Sequence, residues 1–176
     1  MVTIKEYKAN ITNLLNKGTE FLSTDIDQVD KEEISIVVNK LIHIYEYLIN
    51  DDEVREKAYQ IVCQLAMRFD DTLDIILESA KRYNKFQKME DADLYNPNTY
   101  DVLSNIGNGN KKIISYLMKT AKIEDGFPRY EAVKSLCKVN DSLADQIIIN
   151  MINKRELNDF EIESVINIKG KNFINA

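Results

Sequence analysis

An all-α fold is predicted by three observations on this chain. Glycine and proline are scarce, five and two in 176 residues, so few positions interrupt a helix. Apolar residues recur at helical spacing along most of the length. The pattern Asp52-Glu53-Val54-Arg55-x-x-Ala58 returns as Pro128-Arg129-x-x-Ala132, with a degenerate echo at Asn96-Pro97-x-Thr99. Each copy opens an amphipathic helix that is followed by a polar turn and a second apolar helix. Such a pair cannot bury its apolar face alone and must stack on its neighbours.

The elements follow in order. Ile4, Tyr7, Ile11, Leu14, Leu15 and Leu22 space a first helix over residues 3–22, and the polar, acidic stretch Ser23 to Val29 is a connector. Asp30 stands three residues before Glu33, the arrangement of a reciprocal capping box. Val37, Val38, Leu41, Ile42, Tyr45 and Leu48 then share one face up to Ile49, where Asn50-Asp51-Asp52 stops that helix and caps the next. Val54, Ala58, Ile61, Val62 and Leu65 form the stripe of Glu53–Phe69. Leu73, Ile76, Leu77 and Ala80 form that of its successor. Residues Asn84 to Asn96 read as an irregular connection. Pro97 suits the first turn of a helix that runs to Ile106 and is closed by Gly107-Asn108-Gly109. Ile113, Ile114, Leu117 and Met118 define another, ending near Asp125-Gly126. Pro128 begins the next, with Val133, Leu136 and Val139 inward. Asn140-Asp141-Ser142 caps a helix whose expected core face is Leu143, Ile147, Ile148 and Met151. The last spans Glu156 to Ile168, with Leu157, Ile162, Val165 and Ile168 inward, and Lys169-Gly170-Lys171 ends it before a frayed tail.

Arg55, Ala58, Val62, Cys63 and Leu65 correspond to Arg129, Ala132, Leu136, Cys137 and Val139 at a constant offset of 74. On the partner helices Leu73 and Leu77 match Leu143 and Ile147 at an offset of 70. The helix opened by Pro128 is therefore expected to end one turn sooner than its counterpart. Residues 1–176 are read as one domain: 1–29 an N-terminal helix and connector, 30–168 about four helix pairs, 169–176 a tail.

A helix ending in Asp-Asp, followed by Glu-Val-Arg-x-x-Ala opening the next, resembles a HEAT repeat of the armadillo-like superfamily. Residues 34–69 carry the best match and Pro128-Arg129-Tyr130-Glu131-Ala132 the second; the other pairs match only in apolar spacing, without the Arg and Ala. The resemblance implies a right-handed α-α superhelix, an internal ladder role for Asp52 and Arg55, and a binding function. It implies no chemistry.

The residues themselves give chemistry little support. His43 is the only histidine and lies among apolar neighbours, without companions at triad or metal-ligand spacing. Cys63 and Cys137 hold equivalent places two repeats apart, beyond expected disulfide reach, and read as small buried hydrophobes. Gly107-x-Gly109 lacks the strand and the Lys-Ser/Thr ending of a phosphate loop. No metal, cofactor or catalytic residue is expected, so the chain is read as non-enzymatic.

Charge and anchors point to a partner instead. The net charge is −6, which makes nucleic acid unfavourable, since phosphate neutralisation supplies most non-specific affinity there. No apolar run reaches the roughly 20 residues that span a bilayer. The N-terminal residues lack a secretory plan, so a cytoplasmic setting is expected. The preference for Ile, Asn and Lys fits a low-GC bacterial or phage genome. Asp25, Asp27 and Asp30, with Glu90, Asp91 and Asp93, are candidate contacts for a basic protein. Phe86 and Tyr95 are candidate aromatic anchors beside them. The leading expectation is an inhibitor that covers a partner's functional surface, such as a toxin-immunity or phage anti-defence protein. A structural adaptor is the first alternative, and a HEAT-like DNA-repair glycosylase the second.

Overall fold

The computed structural model describes residues 31–46, 52–86 and 98–174. All the regular elements among these residues are helices. They are α1 (Lys31–Glu46), α2 (Asp52–Arg68), α3 (Asp71–Phe86), α4 (Asn98–Ile106), α5 (Lys111–Ile123), α6 (Gly126–Lys138), α7 (Ser142–Asn153), α8 (Asp159–Lys169) and the short α9 (Lys171–Ile174). The first helix expected over residues 3–22 and its connector lie outside the described residues. Helix α3 runs through Asn84, Lys85 and Phe86, where an irregular connection was expected to start. Asn84 is buried there, and its side-chain hydrogen bonds hold that last turn.

The chain divides into two compact units, residues 1–79 and 80–176, with the boundary inside α3. In the first, α1 packs on α2. Ile34, Val38, Leu41 and Ile42 of α1 are buried, as are Ala58, Ile61, Val62, Cys63 and Leu65 of α2, and Leu73, Ile76 and Leu77 of α3. These are i, i+3 and i, i+4 sets, the stripe that an amphipathic helix presents to a core.

In the second unit α6 packs against α4 on one side and α8 on the other, while α5 packs on α6 and α7. Tyr100, near the start of α4, meets Ser135, and Gly107, just past its end, faces Val139 at the end of α6. The contacts advance along both helices together, so α4 and α6 run in the same direction. Helices α6 and α8 also begin at the same end, because Arg129 meets Glu161 and Tyr130 meets Ser164. Asp145 at the start of α7 pairs with Lys169 at the end of α8 at 2.7 Å, which makes those two antiparallel. One layer of parallel helices, α4, α6 and α8, is thus backed by α5 and α7.

Helix α6 has 13 residues and α2 has 17, so α6 is one turn shorter, as the change of offset requires. The inward face of α7 differs from expectation. Leu143 is 45% exposed and Ile147 only half-buried, while Ala144, Ile148 and Met151 are buried. Asp141 takes the N-cap, its Oδ1 accepting from the Leu143 amide at 2.8 Å, and this fixes the helix one residue further round. In α8, Ile162 is half-buried and Ile168 is 37% exposed. Val165 is buried as expected, and Glu161 joins it on the inner face as the partner of Arg129.

The turn closing α4 follows the glycine pattern. A Cβ on Gly107 would stand 2.7 Å from Val139 Cγ2, so only glycine permits that approach. Asn110 caps α5 by accepting from the Lys112 and Ile113 amides. Asp141 Oδ2 accepts from the Gly109 amide at 3.1 Å, so one carboxylate joins this turn to the start of α7.

Candidate protein-binding cleft

At the shared N-terminal end of α6 and α8 the backbone makes two reversals. Gly126 lies in the left-handed region at φ 57, turning the chain from α5 into α6. Asn158 opens α8 with a capping box: its Oδ1 accepts from the Glu161 amide at 3.0 Å, and Glu161 Oε2 accepts from the Asn158 amide at 2.9 Å. Each helix therefore starts in a fixed place.

Arg129 ties the two starts together. Its Nε donates to Glu161 Oε1 at 2.7 Å, its Nη1 to the Ala121 carbonyl and its Nη2 to the Glu156 carbonyl. The Glu161 side chain is 1% exposed, so this is an ion pair largely shielded from water with its oxygens satisfied on both sides. It also satisfies carbonyls at the end of α5 and before α8 that those helices leave unpaired.

In front of this scaffold lies a cleft of about 680 Å³, lined by Gly126, Phe127, Tyr130, Asn158, Phe160 and Ser164, with Glu163 and Asn167 toward the α8 side. Phe127 is 67% exposed and Phe160 is 76% exposed. Ser164 Oγ donates to Tyr130 Oη at 2.9 Å, and Lys134 Nζ stands 5.9 Å from the Tyr130 ring centre, so the Tyr130 ring is held. Glu163 is the charged group of the lining among the described residues. Asp125 and Asp159, both exposed, precede Gly126 and Phe160 at the mouth. The Asp125 side chain makes no capping hydrogen bond.

Two large aromatic rings turned to water are costly unless something covers them. Held on this cross-linked frame, they offer contact area. At the far end of α6, Cys137 is a buried thiol outside any disulfide that burial pushes up to about 12, so it stays protonated. Cys63 is likewise buried and forms no disulfide. Among the described residues no group of three or more His, Cys, Asp and Glu side chains converges to hold a metal ion. None of their helices is long and apolar enough to cross a membrane.

Asp25, Asp27, Asp30, Glu90, Asp91, Asp93 and Tyr95 lie outside the described residues, and Phe86 is the last residue of α3. Asp52 and Arg55 fall in α2 and His43 in α1. Sequence reading missed Phe127 and Phe160, although a signal existed. Each stands off the apolar stripe of its helix, at its second residue, and they are 33 positions apart. The Asn158-x-x-Glu161 capping pattern was equally legible. No protein-family model matches the chain, and no curated protein or solved structure matches it at a significant level.

Proposed function

We propose that this chain is a non-enzymatic protein-binding module, and that it inhibits by covering a functional surface of its partner, as a toxin-immunity or phage anti-defence protein does. The observation that carries the reading is the pair Phe127 and Phe160, exposed at the mouth of a cleft whose frame is cross-linked by Arg129 and Glu161. Aromatic anchors on a rigid scaffold supply binding energy at little ordering cost. The occupant is a segment with an apolar side chain flanked by Lys or Arg, because Glu163, Asp125 and Asp159 make the surroundings acidic. The net charge of −6 supports the same choice by favouring encounter with a basic protein.

The helix pairs are read as HEAT-like and the whole as a right-handed α-α superhelix in the cytoplasm. The parallel layer α4, α6, α8 backed by α5 and α7 supports this reading for the second unit, as does Arg129, which occupies the repeat's Arg position and bonds to Glu161 of α8, the next helix of the layer. The acidic residues Asp25, Asp27, Asp30, Glu90, Asp91 and Asp93 remain candidate steering groups for the same partner.

The test is site-specific photo-crosslinking in the native cell from position 127, from position 160 and from the control position Lys111. One protein captured at 127 and 160 but not at 111 is expected. With that protein purified, Phe160→Ala is expected to weaken binding by about thirtyfold or more. Capture equal at all three positions, or affinity unchanged by Phe160→Ala, rejects the cleft as the binding surface. A captured partner that keeps its full activity in the complex identifies an adaptor instead.

A further inference from the structure

The polar side of the aromatic cleft is a row of hydrogen-bond acceptors on α8. Phe160, Glu163, Ser164 and Asn167 all line it. Their spacing is i, i+3, i+4 and i+7, which brings four side chains to one helix face over two turns. Ser164 Oγ gives its proton to Tyr130 Oη at 2.9 Å, so its lone pairs remain to accept. Glu163 and Asn167 are exposed and add two carboxylate oxygens and one amide carbonyl. Across from this row stands Phe127, at the same second position of the parallel helix α6. Packed neighbouring helices lie about 8–10 Å apart, so one side chain can touch a ring and the acceptor row together.

The cations nearest this surface are committed elsewhere. Arg129 is held by Glu161 at 2.7 Å, behind the cleft. Lys134 stands over the Tyr130 ring and 3.4 Å from Glu131. Among the described residues no cation lines the cleft, and no ion pair neutralises Glu163. Asp125 and Asp159, exposed at the mouth, add to the negative field. The faces of phenyl rings carry the negative part of the aromatic quadrupole and attract a cation in the same way. Rings, carboxylate and acceptors therefore all call for one positively charged donor. An ammonium is a compact, strongly hydrated point charge, poorly matched to acceptors spread along a helix turn and to rings open to water. A guanidinium is flat, sheds water more readily, stacks on aromatic faces and spreads five N–H donors in its plane.

We propose that the cleft recognises an arginine side chain of the protein partner, its guanidinium stacked on the Phe127 and Phe160 rings and hydrogen-bonded to Glu163, Ser164 and Asn167. This assignment rests on the reading of the cleft as the partner-binding surface, and it names the basic residue that anchors there. Glu163 takes the guanidinium through charge-assisted bonds, while the apolar neighbour of the arginine covers what remains of the exposed rings. Arginine is thereby selected over lysine by shape and donor number rather than by charge.

The test is an NMR titration of the isotope-labelled full chain at about 0.15 M salt, where diffuse attraction to an acidic surface is screened. The probes are acetyl-Ala-Arg-Ala-amide and its counterparts with Lys or Leu at the centre. The arginine peptide is expected to saturate in the millimolar range, shifting the amide signals of Phe127, Phe160 and Ser164 but not that of Lys111. The lysine peptide should bind at least about fivefold more weakly, and the leucine peptide more weakly still. Glu163→Gln, at an exposed position, should leave the circular dichroism melt near wild type. It is expected to weaken the arginine peptide by about tenfold, the loss of a charge-assisted bond, and to leave the leucine peptide unchanged. Lysine or leucine peptide binding as tightly as the arginine peptide overturns the arginine assignment. So does the absence of saturation up to about 50 mM, or an arginine affinity unmoved by Glu163→Gln. Cellular capture from positions 127 and 160 reports on the surface separately. Capture alongside a failed titration keeps the partner surface and removes the arginine, whereas arginine binding without capture rejects a protein partner as its source.

Discussion

Arg129 Nε and Glu161 Oε1 are 2.7 Å apart, and through that contact the starts of α6 and α8 become one structural unit. The same guanidinium satisfies carbonyls at Ala121 and Glu156, and the same carboxylate completes the cap of α8. Replacing Glu161 by Ala strands a partly buried cation and removes half of the capping box. A loss of about 2–4 kcal/mol is expected, read as a lower urea midpoint with unchanged slope. Arg129→Ala should cost a similar amount. The double variant should cost clearly less than the sum of the two, since the second change removes a group already left without its partner.

Gly107 faces Val139 Cγ2 and the Leu103 carbonyl at distances no Cβ tolerates. Gly107→Ala is expected to destabilise by about 1–3 kcal/mol through overpacking. Adding Val139→Ala opens room, and the pair should show favourable coupling in a thermal-melt cycle. By contrast, a Cβ at Gly109 meets nothing within 4 Å, and only its φ of 71 opposes a side chain. Gly109→Ala should cost about 1 kcal/mol, with no response to Val139→Ala.

Tyr100 is gripped at both ends. Its hydroxyl donates to Asn84, and its carbonyl accepts from Ser104 Oγ at 2.8 Å and Ser135 Oγ at 3.0 Å. Tyr100→Phe keeps the packing and leaves the buried Asn84 carbonyl without that donor. The expected cost is about 1–3 kcal/mol, measured by chemical denaturation.

Glu131 is buried beside Lys134, which is 3.4 Å away. Burial raises its carboxyl above the ordinary value, outweighing the opposite pull of Lys134. The folded state therefore holds this proton to higher pH than the unfolded chain does. As pH rises through the interval between the two values, the contribution of Glu131 to stability falls. Glu131→Gln should be more stable than wild type at about pH 7, and the difference should shrink as pH drops below the ordinary carboxylate range. Melting temperatures of both proteins across pH check the sign.

In the Cys63→Ser background, Cys137 should resist a thiol reagent at about pH 8 while the fold is intact. Burial holds its thiol up to about 12, and only the opened chain exposes a group that ionises normally. Labelling that keeps pace with a free thiol in the folded protein would contradict its placement.

Helix positions were largely legible because they depend on local periodicity and caps. Asp141 before Leu143, and Gly107-x-Gly109 after Ile106, mark real helix ends for reasons contained within a few residues. The inward face of α7 was harder. Leu143 and Ile147 have the same one-turn spacing as Ala144 and Ile148, and composition favours the larger pair. The rotation is decided by the Asp141 cap, which also reaches back to Gly109. The cleft was the least legible feature. Phe127 and Phe160 read as isolated aromatics until α6 and α8 lie side by side, and that adjacency is enforced by Arg129 and Glu161 across 32 positions. The acidic candidates had strong local signals but fall outside the described residues.

Asp141 reaches from the head of α7 to the amide of Gly109, and this has a consequence for engineering. Two connections far apart in sequence share a single fastening, so lengthening the Gly107–Asn110 turn would also unseat the beginning of α7. The loop between α7 and α8 is tied down as well, through the Glu156 carbonyl and the Asn158 cap, so a tag or fluorophore that must leave the neighbouring helices undisturbed belongs in neither connection.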